Sequence, residues 1–469
     1  MVSTGFGESL FWPSDAKVHF SSSNQLSDGS SSLNRQDGPD IFTKAVSTGI
    51  FIIGKSCDHG MLRRKSKLEN RDLVILGFLL LALYSAAVFY INKLPLMGDE
   101  SIHYFQIRQF MVGNYELHHA LTTIPGYNLI LAGMGGICNV FSVFGMRLFS
   151  SLFGLAAIGV FLLILKGMRQ ESGDKMILRT LQLMFLPLIG PFFFLLYTDV
   201  LSLLFILLTA FFIIKKQHTF AGLMAILAVL IRQNNIVWLI FFLALAYEAR
   251  FKWKINRSNI IKGVGEFWVF LLGIIGFFFF IILNQGFAVG DKSAHPPFSF
   301  HTENLFFALF VYFWVFLPLV YCRRHKIIQL FHDWKTVSII TIAAAAYFLL
   351  FHVTHPYNVF LTEDYMRNRI LALFGINLWI KGLLFIPIGL GLLTLMSQKI
   401  KNQVPFYIFS ALFLLPSWLI EQRYYIIPFV LFLTYRAMEK ESYEQTLVIW
   451  FMMLVAIIFW IVGGLGIFL

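Results

Sequence analysis

From Leu73 onward the chain alternates apolar runs of about 17 to 25 residues with short polar breaks, and each run is long enough to cross a hydrocarbon core of roughly 30 Å as a helix. The pattern predicts spans over 73–91, 146–165, 180–196, 199–214, 219–231, 235–247, 266–283, 305–321, 337–352, 382–398, 404–420, 424–435 and 446–466, about 13 crossings in all. One apolar stretch is set apart. Ile124 to Phe144 holds Gly126, Gly133, Gly135, Gly136, Asn128 and Asn139, a poor composition for a lipid-facing helix, and reads as an interfacial or re-entrant segment. Residues 1–70 differ again: Ser21 to Ser23, Ser30 to Ser32 and scattered Asp and Asn without hydrophobic periodicity predict a disordered tail with a basic end, followed by one multi-spanning domain over 71–469.

Composition agrees with this reading. Hydrophobic residues make up 58% of the chain and charged residues 13%, against roughly 25% charged in soluble domains, so the expected fold class is an all-α polytopic membrane protein. The formal charge of +12 does not point to nucleic acid, because Lys and Arg fall in short clusters between apolar runs and not along one face. Arg63, Arg64, Lys65, Lys67 and Arg71 precede the first run and hold that end in the cytosol. With 124–144 kept out of the count of spans, the later clusters all return to that side: Lys166 to Arg179, Lys215 and Lys216, Arg250 to Lys262, Arg323 to Lys335, Lys399 and Lys401, Arg436 and Lys440. Three cysteines, Cys57, Cys138 and Cys322, lack the spacing of a disulfide framework or a zinc site.

The opposite face collects a different set of residues. Asp99, Glu100, His103, Thr122, Thr123, Asp199, Arg232, Gln233, Asn235, Asp291, Lys292, His295, Arg367, Arg369, Glu421 and Arg423 fall there, acids and bases mixed at the ends of spans. Asp99 and Glu100 are candidates for a general base, since one carboxylate beside an acceptor hydroxyl suffices to take its proton. Arg232, Lys292, Arg367, Arg369 and Arg423 are candidates to neutralise a phosphate, arginine through its bidentate fork and lysine as a point charge. His103 follows the acidic pair at helical spacing and is read as a neutral hydrogen-bond partner; two carboxylates and one His make no convincing metal site. Thr122 and Thr123 precede Pro125 and Gly126 as candidate helix caps. No Walker loop, dinucleotide fingerprint or Ser-His-Asp order is present in the sequence, and no cofactor is expected.

Five stretches in order resemble the dolichyl-phosphate-glucose α-1,2-glucosyltransferases, which add the last glucose to the lipid-linked oligosaccharide of N-glycosylation. Met97 to His103 is similar to the family's Met-Asp-Glu-x-Phe-His, Thr122 to Tyr127 to its Thr-Thr-Leu-Pro-Gly-x-Tyr, and Ile231 to Trp238 to its Phe-Arg-Gln-Thr-Asn-Ile-x-Trp. Gly290 to His295 resembles its Gly-Asp-Arg/Lys-Ser-x-His, and Glu421 to Pro428 its Glu-Phe-Arg-Tyr-Phe-x-x-Pro. Gly98 is an insertion, Leu117-His118-His119 stands where the family has Trp-Asp-Pro, and Glu363 to Arg369 matches its Asp-Asn-Arg-His-Tyr element loosely.

The resemblance implies a GT-C glycosyltransferase fold with short lumenal interfacial helices and a catalytic carboxylate in the first lumenal loop. It also implies an endoplasmic reticulum membrane location, a dolichyl-phosphate or other polyprenyl-phosphate sugar as donor substrate, a lipid-linked glycan as acceptor, and inverting transfer that forms an α-1,2 linkage. A bacterial inner-membrane transferase with a different glycan acceptor fits the departures. A lipid-linked sugar flippase would instead show charges deep in corresponding helices of two repeated halves, and no such repeat is found in the sequence.

Overall fold

A computed structural model describes residues 70–168, 173–292, 300–359 and 368–465; the expected tail, His295 and Arg367 lie outside the described residues. The described structure is helical apart from an isolated antiparallel bridge between Ile400 and Arg436. Large apolar side chains stand exposed along the helices, Phe278 at 58%, Ile282 at 71% and Leu349 at 73%, which suits lipid and not water. Polar and charged groups turn inward: Glu100, Gln106, Asn128, Arg147, Asn235, Asn304 and Arg436 are all buried.

The first run forms α1 (Asn70–Ile91), and the polar break after it forms α2 (Glu100–Met111). The glycine-rich stretch is α3 (Gly126–Cys138), thirteen residues. At 1.5 Å per residue that is about 20 Å. Among the described residues three helices are long and apolar enough to cross a membrane alone: α4 (Val143–Met168), a later α14 (Leu378–Ser397) and a last α17 (Glu441–Leu465).

The expected span at 180–196 is not a continuous helix. Its first part belongs to α5 (Gly173–Met184), after which Phe185 to Tyr197 runs without regular α-helix. Pro187, Gly190 and Pro191 remove a backbone donor, add chain entropy and fix φ, which is why the helix ends. Nearly every side chain from Phe185 to Leu204 is buried, and non-helical backbone at membrane depth is tolerated where protein covers it. The segment leads into α6 (Thr198–Ile214), which packs against α4 and against α7 (His218–Ile231).

A three-residue 3-10 turn, Gln233–Asn235, separates α7 from α8 (Ile236–Phe251). One expected span, 305–321, is bent within its length, and another, 266–283, is formed by one helix that a bend precedes. Helices α9 (Arg257–Glu266) and α10 (Trp268–Asn284) meet at 80°, and α11 (Glu303–Val315) and α12 (Leu317–Leu330) at 99°. Pro318 at the start of α12 suits a first helical turn and marks the second bend. The chain continues through α13 (Trp334–Leu350), α14, α15 (Gln403–Leu414), a 3-10 turn at Gln422–Tyr425 and α16 (Ile426–Tyr435) to α17. An aromatic core of Tyr312, Phe316, Phe429 and Phe432 ties α11 to α16, with Tyr312 and Phe432 meeting edge to face at 5.3 Å.

Candidate active site

The acidic pair separates into two environments. Glu100 is fully buried and accepts from Arg147 at both oxygens, Nε at 3.0 Å and Nη2 at 2.6 Å, and from the backbone N–H groups of Met97 at 2.9 Å and Leu196 at 2.8 Å. Arg147 also donates to the carbonyls of Ile91, Leu94 and Pro95. Four donors thus meet one buried carboxylate, and the pair ties the start of α2 to α4.

Asp99 stays at the surface of the site. Its side chain is 17% exposed and its Oδ2 meets Arg423 Nη2 at 2.9 Å. The Asp99 N–H donates to the Tyr197 hydroxyl at 3.0 Å, and that hydroxyl donates to the Met97 carbonyl at 3.1 Å. Gly98 explains itself here. Its φ is +55°, and a Cβ would stand 2.5 Å from the Tyr197 hydroxyl oxygen, so no other residue lets the phenol reach across the loop.

Arg423 sits between carboxylates. Its Nε donates to Glu421 at 2.6 Å, and its guanidinium lies 5.4 Å over the Tyr197 ring and 5.8 Å over that of Tyr424. Burial opposes its charge, but Glu421, Asp99 and Asp199 together outweigh burial and raise its pKa well above the usual value. The loop that carries it is pinned by two buried asparagines: Asn304 donates to the carbonyls of Ser417 and Leu419 and accepts from Tyr425, while Asn358 exchanges bonds with Ile420. Arg232 forms an ion pair with buried Asp199 and also lies over the Tyr424 ring, 5.6 Å from its centroid. Tyr424 thus joins the two arginines.

His103 packs under this cluster, edge-on to Tyr127 and Tyr197, with Asn128 donating to its carbonyl at 3.2 Å and contacting its Nδ1 at 3.3 Å. Burial lowers its pKa to about 4, against the pull of Asp99 and Asp199, so it is neutral at physiological pH.

Gln233 is a staple. Its amide donates to the carbonyls of Thr122 at 2.8 Å and Phe287 at 3.0 Å, and its oxygen accepts from the Ile124 N–H at 3.3 Å, tying three loops together. Glycines let these loops touch: a Cβ on Gly126 would lie 2.4 Å from the Leu230 carbonyl oxygen, and one on Gly290 2.3 Å from that of His119. Asn235 is fully buried and holds Ser202 and the Ala228 carbonyl, each at 2.7 Å. Both residues support the site from behind.

The threonines do not cap α3. Pro125 is its N-cap, with no side-chain cap bond, because the helix starts two residues beyond Thr123, while the Thr122 carbonyl accepts from Gln233. The Thr123 hydroxyl is buried without a hydrogen-bond partner among the described residues. Lys292 is exposed, its Nζ donating to the Asn284 carbonyl at 2.5 Å at the end of α10, with Asp291 half-buried beside it. Arg369 is exposed on the 3-10 turn Arg369–Gly375. Neither Lys292 nor Arg369 is brought into the Asp99–Arg423 group. Among the described residues no three His, Cys, Asp or Glu side chains are grouped to hold a metal.

Beside the cluster lies a cleft of about 340 Å³. Arg232, Gln233, Asn234, Thr122, Thr123 and Tyr424 line its polar side, and Val237, Phe287, Phe300, Phe413 and Pro416 its apolar side. Three parts of the site were not among the sequence candidates. Tyr197 was hidden at the end of an apolar run, Arg147 just inside another, and Asp199 was one acid among several on the same face. The signal for Asp199 and Arg232 was their shared position at span ends.

Fold and site together define a class: an all-helical membrane protein with an arginine-bound carboxylate site at the mouth of a half-apolar cleft. The model of the DIE2/ALG10 family matches residues 94–262 and 248–434, which span every site residue from Asp99 to Arg423, and the chain belongs to that family. Relatives bearing the name Dol-P-Glc:Glc(2)Man(9)GlcNAc(2)-PP-Dol alpha-1,2-glucosyltransferase are similar along most of their length. The one from Homo sapiens is 24% identical over 398 residues, 71% of this chain and 82% of the relative. That from Debaryomyces hansenii is 24% identical over 398 residues, 73% and 83%, and that from Arabidopsis thaliana 24% over 450 residues, 75% and 88%. No solved structure matches the chain.

Proposed function

We propose that the protein is a membrane glucosyltransferase that moves glucose from dolichyl-phosphate glucose to a lipid-linked oligosaccharide, with inversion and formation of an α-1,2 linkage. The observation that carries this reading is the chain of contacts from a half-apolar cleft lined by Arg232 and Tyr424, through the Tyr424 ring, to Arg423 and Asp99. An isoprenoid phosphate has that polarity: an apolar tail for Val237, Phe287 and Phe413, and a phosphate for the arginines.

Asp99 takes the proton of the acceptor hydroxyl as its oxygen attacks the anomeric carbon. The bond from that carbon to the phosphate oxygen breaks, and the departing lipid phosphate carries its charge to Arg232 and Arg423. A phosphate at Arg423 competes with Asp99 for the guanidinium, so donor binding loosens the ion pair and frees the base. Lys292, His295, Arg367 and Arg369 are left to contact the glycan acceptor. The fold we propose is of GT-C type with about 13 crossings, one of them the half-irregular 173–197, and with the site on the lumenal side of the endoplasmic reticulum membrane.

A second reading of the base rests on Asp199, whose Oδ1 is paired with Arg232 while its Oδ2 is buried without a partner among the described residues. Purified protein supplied with radiolabelled dolichyl-phosphate glucose and an oligosaccharide acceptor that ends in two glucoses tests both. Asp99→Asn is expected to remove transfer and Asp199→Asn to weaken it through donor binding; full activity of Asp99→Asn would move the base to Asp199. Movement of the labelled lipid across the bilayer with no product formed would instead favour a flippase.

A further inference from the structure

At the opposite end of α16 from Arg423, the chain builds a second polar cleft. Its floor is rigid: the Ile400–Arg436 bridge is flanked by hydrogen bonds from the Lys401 N–H to the Tyr435 carbonyl at 3.1 Å and from the Ala437 N–H to the Lys399 carbonyl at 2.8 Å. In extended chain, side chains two apart share a face. Ile400 is buried, so Lys399 and Lys401 turn together to the other side, and both are exposed.

The third wall is α5. Arg179 is buried there and donates to the carbonyls of Leu433, Thr434 and Arg436, which locks α5 onto the end of α16. Lys175, one helical turn earlier, therefore overhangs the same floor. Lys175, Lys399, Lys401, Gln403, Tyr435 and Arg436 line a cleft of about 440 Å³. No carboxylate lines it among the described residues, and the ammonium groups of the three lysines have no partner there. Arg436 is 1% exposed and spends its two terminal nitrogens on Glu444 and Gln182, but its Nε finds no acceptor among the described residues. Topological signals require basic residues at this end of the molecule, but do not require them to converge on one rigid hollow.

We infer that this cleft is a binding site for a phosphate-bearing anion, separate from the donor cleft and reached from the basic face of the protein. Three uncompensated ammonium groups match the oxygens of a phosphomonoester or diphosphate. A soluble phosphate compound and an anionic lipid headgroup share that chemistry.

The test uses the full-length protein in phosphatidylcholine nanodiscs, titrated with inorganic pyrophosphate at constant ionic strength while its melting temperature is followed. A parallel sample contains phosphatidic acid, and native mass spectrometry reads the lipid retained. Wild type is expected to respond to at least one probe, and Lys175→Gln/Lys399→Gln/Lys401→Gln to need about tenfold more of it or more. Stabilisation by pyrophosphate identifies a soluble ligand, and retention of phosphatidic acid alone a headgroup. The double variant Lys399→Gln/Lys401→Gln, confined to exposed side chains, replaces the triple variant if that fails to fold. No response in wild type, or an equal response in the variants, overturns the inference.

Discussion

Substituting Glu100 by Gln and Asp99 by Asn should give opposite phenotypes, although the two carboxylates are neighbours in sequence. Glu100 accepts four hydrogen bonds, two from Arg147 and two from backbone N–H groups. A glutamine fills the same volume, but its amide nitrogen must face a pair of N–H donors, and the Arg147 charge stays buried with no counter-ion. Removing one partner of a buried pair costs about 3–5 kcal/mol. That is a large share of the roughly 5–15 kcal/mol that holds a typical domain together. Glu100→Gln should therefore melt far below wild type and yield little folded protein.

Asp99 is part-exposed, and Arg423 keeps Glu421 when Asp99 is neutralised. Asp99→Asn should melt near wild type while its transfer rate falls by about 10²–10⁴, the range for a lost general base. The assay pairs a melting curve of the purified protein with glucose transfer counted per mole of folded protein. A Glu100→Gln protein that melts like wild type yet transfers nothing would refute the division of labour and return the base to Glu100.

Tyr197→Phe removes the hydroxyl that joins the Asp99 N–H to the Met97 carbonyl, two bonds of about 1 kcal/mol each. It should lower kcat more than it raises KM in transfer kinetics, because the loop carrying Asp99 loosens while the arginines remain. Gly126→Ala places a methyl group 2.4 Å from the Leu230 carbonyl oxygen, backbone against backbone, and should cost about 1–3 kcal/mol, read as a lower melting temperature. His103 carries a pH dependence. Its pKa is about 4 in the folded protein against 6.5 for the free side chain, so below 6.5 the unfolded chain takes up a proton that the fold refuses. Stability should hold above pH 6.5 and fall by about 3 kcal/mol as the pH drops towards 4, a slope that His103→Gln should flatten in melting curves taken across that range.

The sequence made the helical membrane class legible because lipid demands long apolar runs, and it made the site's neighbourhood legible because charges in such a chain are few. Pairings were not legible. Nothing local distinguishes Glu100 from Asp99; the difference is Arg147, which rises from α4 to meet only one of them. Lys292 looked equivalent to Arg232 until the fold placed it at a helix end, bound to a carbonyl. The broken crossing after Met184 did have a signal in Pro187, Gly190 and Pro191, outweighed in the hydrophobic pattern by the phenylalanines and leucines around them. Those same apolar side chains are what shield the irregular backbone, so hydrophobicity read as helix was in fact covering its absence.

The Asp99–Arg423 contact joins the beginning of the helical domain to its last quarter. At ribosomal rates of about 5–20 residues per second, Asp99 waits on the order of twenty seconds to a minute in the translocating chain before Arg423 exists. Every nascent or terminated product that stops short of Arg423 lacks the cation that balances the carboxylate and is expected to receive the leaving phosphate. Competence for transfer therefore waits for the segment that carries Arg423, and a chain stopped before it is expected to be chemically silent.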